Sequence, residues 1–92
     1  MQSKTNLKWV VYMIRLSDNS LYTGVTNNIA KRICDHASGN GSKYVHSRLP
    51  IKDIFYMERF ETKPEALKRE ANIKKMKKKE KEMLYQNLDN VL

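Results

Sequence analysis

The chain has 92 residues with 18 lysines and arginines against 10 aspartates and glutamates, so its formal net charge is +8. This length predicts one domain with a modest core, and an apolar fraction of 40% excludes a disordered chain. The charge favours a polyanionic partner, nucleic acid before an anionic membrane. There is no apolar run of about 18 residues and no signal peptide, so we expect a cytoplasmic protein without a membrane partner. A single cysteine excludes an internal disulfide and, with only two histidines, a structural zinc site.

The first two predicted strands form a hairpin. Residues Trp9 to Leu16 are apolar on both alternations, which predicts a central strand that is covered on both faces. A turn signal at 17–20 leads to a return strand over Leu21 to Thr26. Gly24 inside that strand indicates the close approach of another backbone or a ligand.

The register of this hairpin decides where Tyr12 and Tyr22 point. If Ser17 pairs with Ser20, the two tyrosines lie on opposite faces of the sheet. If Ser17 pairs with Leu21, they share one face. A single site that contains both tyrosines requires the second arrangement.

A helix, a loop and a third strand follow the hairpin. Asn27 or Asn28 caps a helix over about 28–38, whose buried stripe is predicted to be Ile29, Ile33 and Ala37. Residues 38–50 form a long loop rich in glycine and serine, and loops of this length in small domains are often functional. Residues 51–61 are aromatic-rich and predict the third strand.

The last third of the chain is predicted to be helical. Thr62 and Glu65 form a capping box, with Pro64 in the first turn, so a helix is expected to run to about Lys78. A short helix over 79–87 would pack Met83, Leu84 and Leu88. The order β-β-α-β-α-α predicts an α+β fold, with a three-stranded, mostly antiparallel sheet flanked by helices. We expect the domain to span 8–86, with flexible termini at 1–7 and 87–92.

One carboxylate interrupts the apolar stripe of the helix after Thr62. Glu70 stands between Ala66 and Ile73 on that stripe, which continues to Met76. An unpaired buried carboxylate is costly, so Glu70 needs a partner. A salt bridge or a partly exposed edge would supply a structural explanation. A metal ligand or a general base is the functional alternative.

Several polar and basic residues also have two interpretations. Arg32 and His36 share one helix face, which is either a solvated edge or part of a site. Tyr12 and Tyr22 either pack or face a substrate. The lysine run over 74–81 is either a solvated face or a phosphate-binding surface. The candidate nucleic-acid contacts are Lys31, Lys43, Tyr44, Arg48, Lys74, Lys75 and Lys78.

These residues together resemble the GIY-YIG nuclease family. The resemblance rests on VVY at 10–12, YTG at 22–24, Arg32, His36 and Glu70. The two tyrosines are ten positions apart, and the arginine follows ten positions after the second tyrosine. It covers about residues 8–86 and is closest to small single-domain bacterial members. The chain departs from the pattern at Val10, at the central threonine of YTG and near Glu82, where the family often has an asparagine.

The resemblance implies a β-β-α-β-α core with one shallow active site that hydrolyses a DNA phosphodiester. It also implies one divalent metal ion, Mg²⁺ or Mn²⁺, held by Glu70. Tyr12 or Tyr22 would activate water, Arg32 would stabilise charge on the phosphate, and His36 would assist a tyrosine or contact phosphate.

Three functions remain open at this point. The first is a metal-dependent DNA endonuclease, structure-selective or active in repair. The second is a module of the same fold that binds nucleic acid but cuts weakly, and the third is a small basic RNA- or ribonucleoprotein-associated protein. Convergence of Tyr12, Tyr22, Arg32 and Glu70 on one pocket is required by the first. We expect target choice to come from the loop 38–50, the lysine-rich helices, a partner protein or DNA shape.

Overall fold

The computed structural model describes residues 7–91 and the side chains as far as residue 84. Of the termini predicted to be flexible, residues 1–6 and 92 lie outside this range, as does the side chain of Leu88. The elements are β1 Trp9–Leu16, β2 Leu21–Thr26, α1 Ile29–Ala37, α2 Lys43–His46, β3 Ile51–Phe60, α3 Lys63–Lys74 and α4 Lys78–Val91. The antiparallel sheet has the order β2-β1-β3, which confirms the α+β prediction and the central place of β1. None of the described helices is both long and apolar enough to cross a membrane.

Strand β1 is buried on both faces because helices cover the sheet from both sides. On one face Tyr12 and Ile14 pack with Val45 of α2 and with the half-buried stripe of α1. On the other face Val11 and Met13 pack against α3 and α4. The side chains on one face of β1 therefore belong to one apolar cluster, and those on the other face belong to a second, as the uniformly apolar sequence of the strand predicts.

The hairpin places both tyrosines on one face of the sheet. Tyr12 pairs with Gly24, and Tyr22 pairs with Ile14, two residues from Tyr12. The closing pair is Leu16 with Ser20, neither of the two pairs considered from the sequence, and Leu16 N donates to Ser20 O at 2.9 Å. Asn19 adopts a left-handed conformation with φ +70°, which suits a three-residue hairpin loop.

Two predictions about the region from α1 to β3 were wrong. Ala37 is exposed, and His36 is the fully buried residue of α1. Position 36 continues the spacing of Ile29 and Ile33 at the seventh residue, which turns it toward the sheet. The predicted loop 38–50 contains the short helix α2, because Val45 fills the core and the Ser42 side chain accepts from its backbone N–H.

The boundary between the two C-terminal helices lies earlier in the chain than predicted. The capping box of Thr62 and Glu65 is present, but α3 ends at Lys74 and α4 begins at Lys78. The backbone N–H of Lys77 donates to the Glu80 side chain at 2.8 Å, which satisfies an amide at the start of α4. Leu84 is buried as predicted, whereas Met83 is 56% exposed.

Gly24 is required by the ring of Tyr12. A Cβ atom built on Gly24 would lie 2.6 Å from Cζ and 3.0 Å from Cε1 of Tyr12. Real Cβ atoms do not approach other atoms so closely, and Tyr12 cannot retreat because it is only 1% exposed in the packed sheet. The phenol of Tyr12 therefore crosses β2 through the space that a side chain at position 24 would fill.

We expect Gly24→Ala to destabilise the protein by about 1–3 kcal/mol, because the added methyl group overpacks the site. Urea-induced unfolding measures this cost. In a Tyr12→Leu background the same change should cost much less, because the ring atoms that it meets are gone. An equal cost in both backgrounds would show that Gly24 is needed for another reason.

Candidate active site

Four of the predicted site residues line one cavity at the β2 edge of the sheet. The cavity has a volume of about 370 Å³, and Tyr12, Tyr22, Arg32 and Glu70 are in its wall. The tyrosines share one sheet face with α1, which carries Arg32, while α3 on the other face carries Glu70. The two helical layers meet at this edge beside Gly24, which also lines the cavity. The convergence that the nuclease hypothesis requires is therefore present.

Tyr12 is held by a buried histidine behind the cavity. Its hydroxyl lies 2.9 Å from Nε2 of His36, which is 0% exposed. Tyr22 contacts the same imidazole edge-on, with ring centroids 5.3 Å apart. His36 does not line the cavity itself but contacts both of the tyrosines that do.

The surroundings of His36 indicate the direction of this hydrogen bond. Nδ1 of His36 is buried without a hydrogen-bond partner among the described residues, and the backbone of Gly41 lies against it. A buried N–H without an acceptor is rarer than an unpaired acceptor. This favours the tautomer with the hydrogen on Nε2, in which His36 donates to the Tyr12 oxygen.

Burial and Arg32 set the protonation of this pair. Burial raises the pKa of the Tyr12 hydroxyl, and a hydrogen bond from Arg32 acts in the opposite direction. Burial lowers the pKa of His36, and the positive charge of Arg32 lowers it further, while Asp35 raises it. The hydrogen bond with Tyr12 is the main reason that the pKa of Arg32 is raised. Near pH 7 the site therefore holds a phenol, a neutral imidazole and a guanidinium.

Glu70 combines the structural and the functional interpretation. Its Oε2 lies 3.2 Å from Nζ of Lys74, one turn later on α3, and its side chain is 18% exposed. The salt bridge expected for a carboxylate on an apolar stripe is thus present, and the same carboxylate lines the cavity.

The donor set fits a metal ion that is shared with a substrate. Among the described residues no cluster of three or more His, Cys, Asp or Glu side chains could enclose an ion. Glu70 is the one carboxylate in the described cavity wall. Mg²⁺ typically binds one or two carboxylates and completes its coordination with water and substrate phosphate oxygens. Glu70 meets that requirement.

A second cavity, the flanking cavity, adjoins the first through Tyr22. It has a volume of about 310 Å³ and is lined by Leu21, Tyr22, Thr23, Tyr44, Lys74 and Lys81. Tyr44 is 40% exposed and stacks with Tyr22 at a centroid distance of 6.1 Å. The Arg48 guanidinium lies 3.7 Å from the centre of the Tyr44 ring. The flanking cavity thus has an aromatic wall and a basic wall.

The structure brings two of the seven predicted nucleic-acid contacts, Tyr44 and Lys74, into this cavity. The other five lie elsewhere on the surface. Lys43 and Lys75 are exposed, and three have partners within the protein: Lys31 with Asp35, Arg48 with Asp18, and Lys78 with the backbone oxygen of Asn19.

The sequence analysis did not predict two cavity residues on α3, Lys63 and Leu67, and it included Lys81 of α4 only within the lysine run over 74–81. Lys63 and Leu67 line the first cavity beside Glu70, and Lys81 lines the flanking cavity. A signal existed, because positions 63, 67, 70 and 74 follow the spacing of one helix face. Lys63, one of the two lysines on that face, lies 5.5 Å from the centre of the Trp9 ring.

Glu82, which stands near the family's asparagine, serves a different purpose. Its carboxylate accepts two hydrogen bonds of 2.6 Å from the Arg15 guanidinium. It is not in the wall of either cavity. The bidentate pair connects α4 to β1, and Glu82 is therefore a structural residue.

The burial of neutral His36 predicts a loss of stability in acid. Its pKa is lowered on folding, so between that value and about 6.5 the unfolded chain binds more protons, and stability falls as the pH falls. The slope cannot exceed about 1.4 kcal/mol per pH unit for one group. Urea unfolding at pH 7.5 and 5.5 should show a smaller loss in His36→Gln than in the parent.

The matched control is His46→Gln, because His46 is exposed. This variant should keep the parental pH dependence. An unchanged pH dependence in His36→Gln would contradict the assignment of a neutral, buried imidazole.

Comparison with known proteins identifies the family of the chain. The model of the GIY-YIG catalytic domain matches residues 8–86. A UPF0213 protein of Cupriavidus necator is 42% identical over 73 residues, which cover 79% of this chain and 78% of the relative. One of Clostridium perfringens is 49% identical over 71 residues, which cover 77% and 75%.

A solved structure gives the same result for the fold. The solution NMR structure of a UPF0213 protein from Bacillus halodurans superimposes with a TM-score of 0.55 at 36% identity. The match covers 85% of this chain and 82% of the other. The family predicted from the two tyrosine motifs, Arg32, His36 and Glu70 is confirmed. The chain belongs to the GIY-YIG family and is similar to the UPF0213 proteins.

Proposed function

We propose that the protein is a divalent-metal-dependent DNA endonuclease that hydrolyses phosphodiester bonds. The observation that carries this proposal is the placement of two tyrosines, an arginine and one carboxylate around a single cavity. A net charge of +8 supplies the attraction to the phosphate backbone. The GIY-YIG domain itself indicates a nuclease.

In this proposal Tyr12 is the general base. Its oxygen accepts a hydrogen bond from His36 in the favoured tautomer, and Arg32 acts to lower the pKa of Tyr12, so both residues stabilise a phenolate. The phenolate accepts a proton from the attacking water as the new P–O bond forms, the P–O bond to the leaving sugar oxygen breaks, and that oxygen takes up a proton from solvent. Because burial raises the pKa of Tyr12, the reactive fraction is small near pH 7, and the rate should increase with pH.

Arg32 and Tyr22 act on the phosphate in this scheme. The guanidinium of Arg32 stays protonated throughout, so it can stabilise the charge that develops on the phosphoryl oxygens. Tyr22 lines both cavities and is held in place by His36 and Tyr44, which lets it orient the bound strand.

Glu70 would hold the metal ion, Mg²⁺ or Mn²⁺. When bound, such an ion polarises a phosphoryl oxygen and assists the leaving group. Members of the GIY-YIG family generally use divalent metal ions. Lys74 pairs with Glu70, and its ammonium group neutralises the carboxylate that would hold the ion.

This ion pair also supports a second candidate function. A module that keeps Glu70 neutralised by Lys74 would bind DNA or RNA through its basic surface and cut weakly. We favour the nuclease because a pure binding module has no need to bury a tyrosine–histidine pair behind the cavity. A repair role on branched or nicked DNA, in the reducing cytoplasm that the free Cys34 suits, is part of the proposal.

The test of the proposal is cleavage of linear, nicked and branched DNA with Mg²⁺ or Mn²⁺. Glu70→Gln should lower the rate by at least about 100-fold, because a metal ion contributes several kcal/mol to the transition state. The same variant should unfold within about 1 kcal/mol of the parent, since the lost pair is a helix-surface ion pair. Metal-free DNA binding should be equal or slightly tighter, because a negative charge near phosphate has been removed.

Glu61→Gln is the matched control, because it removes the same charge from an exposed carboxylate outside this cavity. Its cleavage rate should equal that of the parent. Parental cleavage by Glu70→Gln would exclude Glu70 as the metal ligand. A parent that binds every DNA in the panel and cuts none would favour the binding module.

A further inference from the structure

We propose that the flanking cavity is a nucleotide subsite, which binds the nucleotide next to the scissile phosphate. The proposal deepens the proposed function and rests on it for the position of the scissile phosphate. The phosphate of this nucleotide would contact Lys74 and Lys81, and its sugar or base would lie against Leu21, Tyr22 and Tyr44.

Continuity with the first cavity gives the first argument. Tyr22 is in the wall of both cavities, and the neighbouring pair Glu70 and Lys74 divides between them, the glutamate in the first and the lysine in the flanking cavity. A nucleic-acid strand carries a phosphate at every nucleotide. A strand with one phosphate in the first cavity therefore places a neighbouring nucleotide beside Tyr22.

The composition of the wall gives the second argument. Lys74 and Lys81 come from α3 and α4 and supply two ammonium groups, which suits a phosphate. Leu21, Tyr22 and Tyr44 supply the apolar and aromatic surface that a sugar or base requires. A ligand that needs both an anion site and an aromatic wall is a nucleotide rather than a free inorganic ion.

An unpaired polar group gives the third argument. Thr23 lines the flanking cavity and is only 4% exposed. Its hydroxyl is buried without a hydrogen-bond partner among the described residues. Buried hydroxyl groups are normally paired, so an orphan beside a cavity marks a place where a ligand or an ordered water completes the bonding.

The ion pair of Lys74 connects the two cavities. The Lys74 ammonium lies 3.2 Å from Glu70. A phosphate in the flanking cavity would attract this ammonium away from the carboxylate and leave Glu70 available to a cation. Metal ion and nucleotide would then strengthen each other's binding, since such coupling is reciprocal.

The experiment measures the salt dependence of binding by the metal-free protein, with a fluorescent oligonucleotide and its duplex in EDTA. Lys81→Ala should lower affinity severalfold and reduce the slope of log K against log salt by about 0.7–0.9, the loss of one phosphate contact. Lys79→Ala is the matched control, because Lys79 is exposed on the same helix and lines neither cavity. It removes the same charge and should leave the slope unchanged.

Equal effects of Lys81→Ala and Lys79→Ala would overturn the subsite and replace it with a diffuse basic surface. Lys81→Arg should restore the slope, and failure to do so would also contradict a phosphate contact. This readout needs no cleavage, so it separates the subsite from the nuclease. If the parent never cuts DNA but Lys81→Ala reduces the slope, the proposed catalysis alone is contradicted. If the parent cuts DNA but Lys81→Ala and Lys79→Ala have equal effects, the subsite alone is contradicted.

Discussion

The site depends on how Tyr12 crosses the sheet. Its ring lies over Gly24 on the neighbouring strand, and its hydroxyl is bonded to His36 at 2.9 Å. A residue in the middle of the central strand is thereby fully packed and still reaches the wall of a cavity at the sheet edge. This arrangement fixes the register of the hairpin, explains the glycine, and requires α1 to turn a histidine inward. Tyrosine, glycine and histidine thus form one packing unit.

Local signals predicted most of the fold. The uniformly apolar β1 is central because a strand covered on both faces has no polar alternation, and the capping box at Thr62 starts α3. The predictions failed where tertiary contacts decide. The four-residue helix α2 has no hydrophobic periodicity in its sequence, and it forms because Val45 fills the core. No glycine or proline marks the break before α4, where the Glu80 side chain supplies the N-terminal hydrogen bond.

The residues of the site were easier to predict than their surroundings. The tyrosines, Arg32 and Glu70 stand in a recognisable order, and the structure brings them to one cavity. The choice of residues that line the cavity walls depends on how each helix is rotated about its axis. Sequence spacing predicts this rotation only to within one residue. A small error in that rotation exchanged Ala37 for His36 as the buried residue of α1. Lys81 was not singled out from the lysine run over 74–81, because the break between α3 and α4 interrupts the helix face on which Lys74 lies.

The proposed hydrolysis depends on proton transfer by the Tyr12 hydroxyl. The most direct measurement is the rate of DNA cleavage by Tyr12→Phe in Mg²⁺ or Mn²⁺ between pH 6 and 9. The variant keeps the ring that packs over Gly24 and loses the hydroxyl, so it should fold and bind DNA. The account predicts a rate at least about 100-fold below the parent, without the parental increase with pH. Cleavage at the parental rate with the parental pH profile would contradict it.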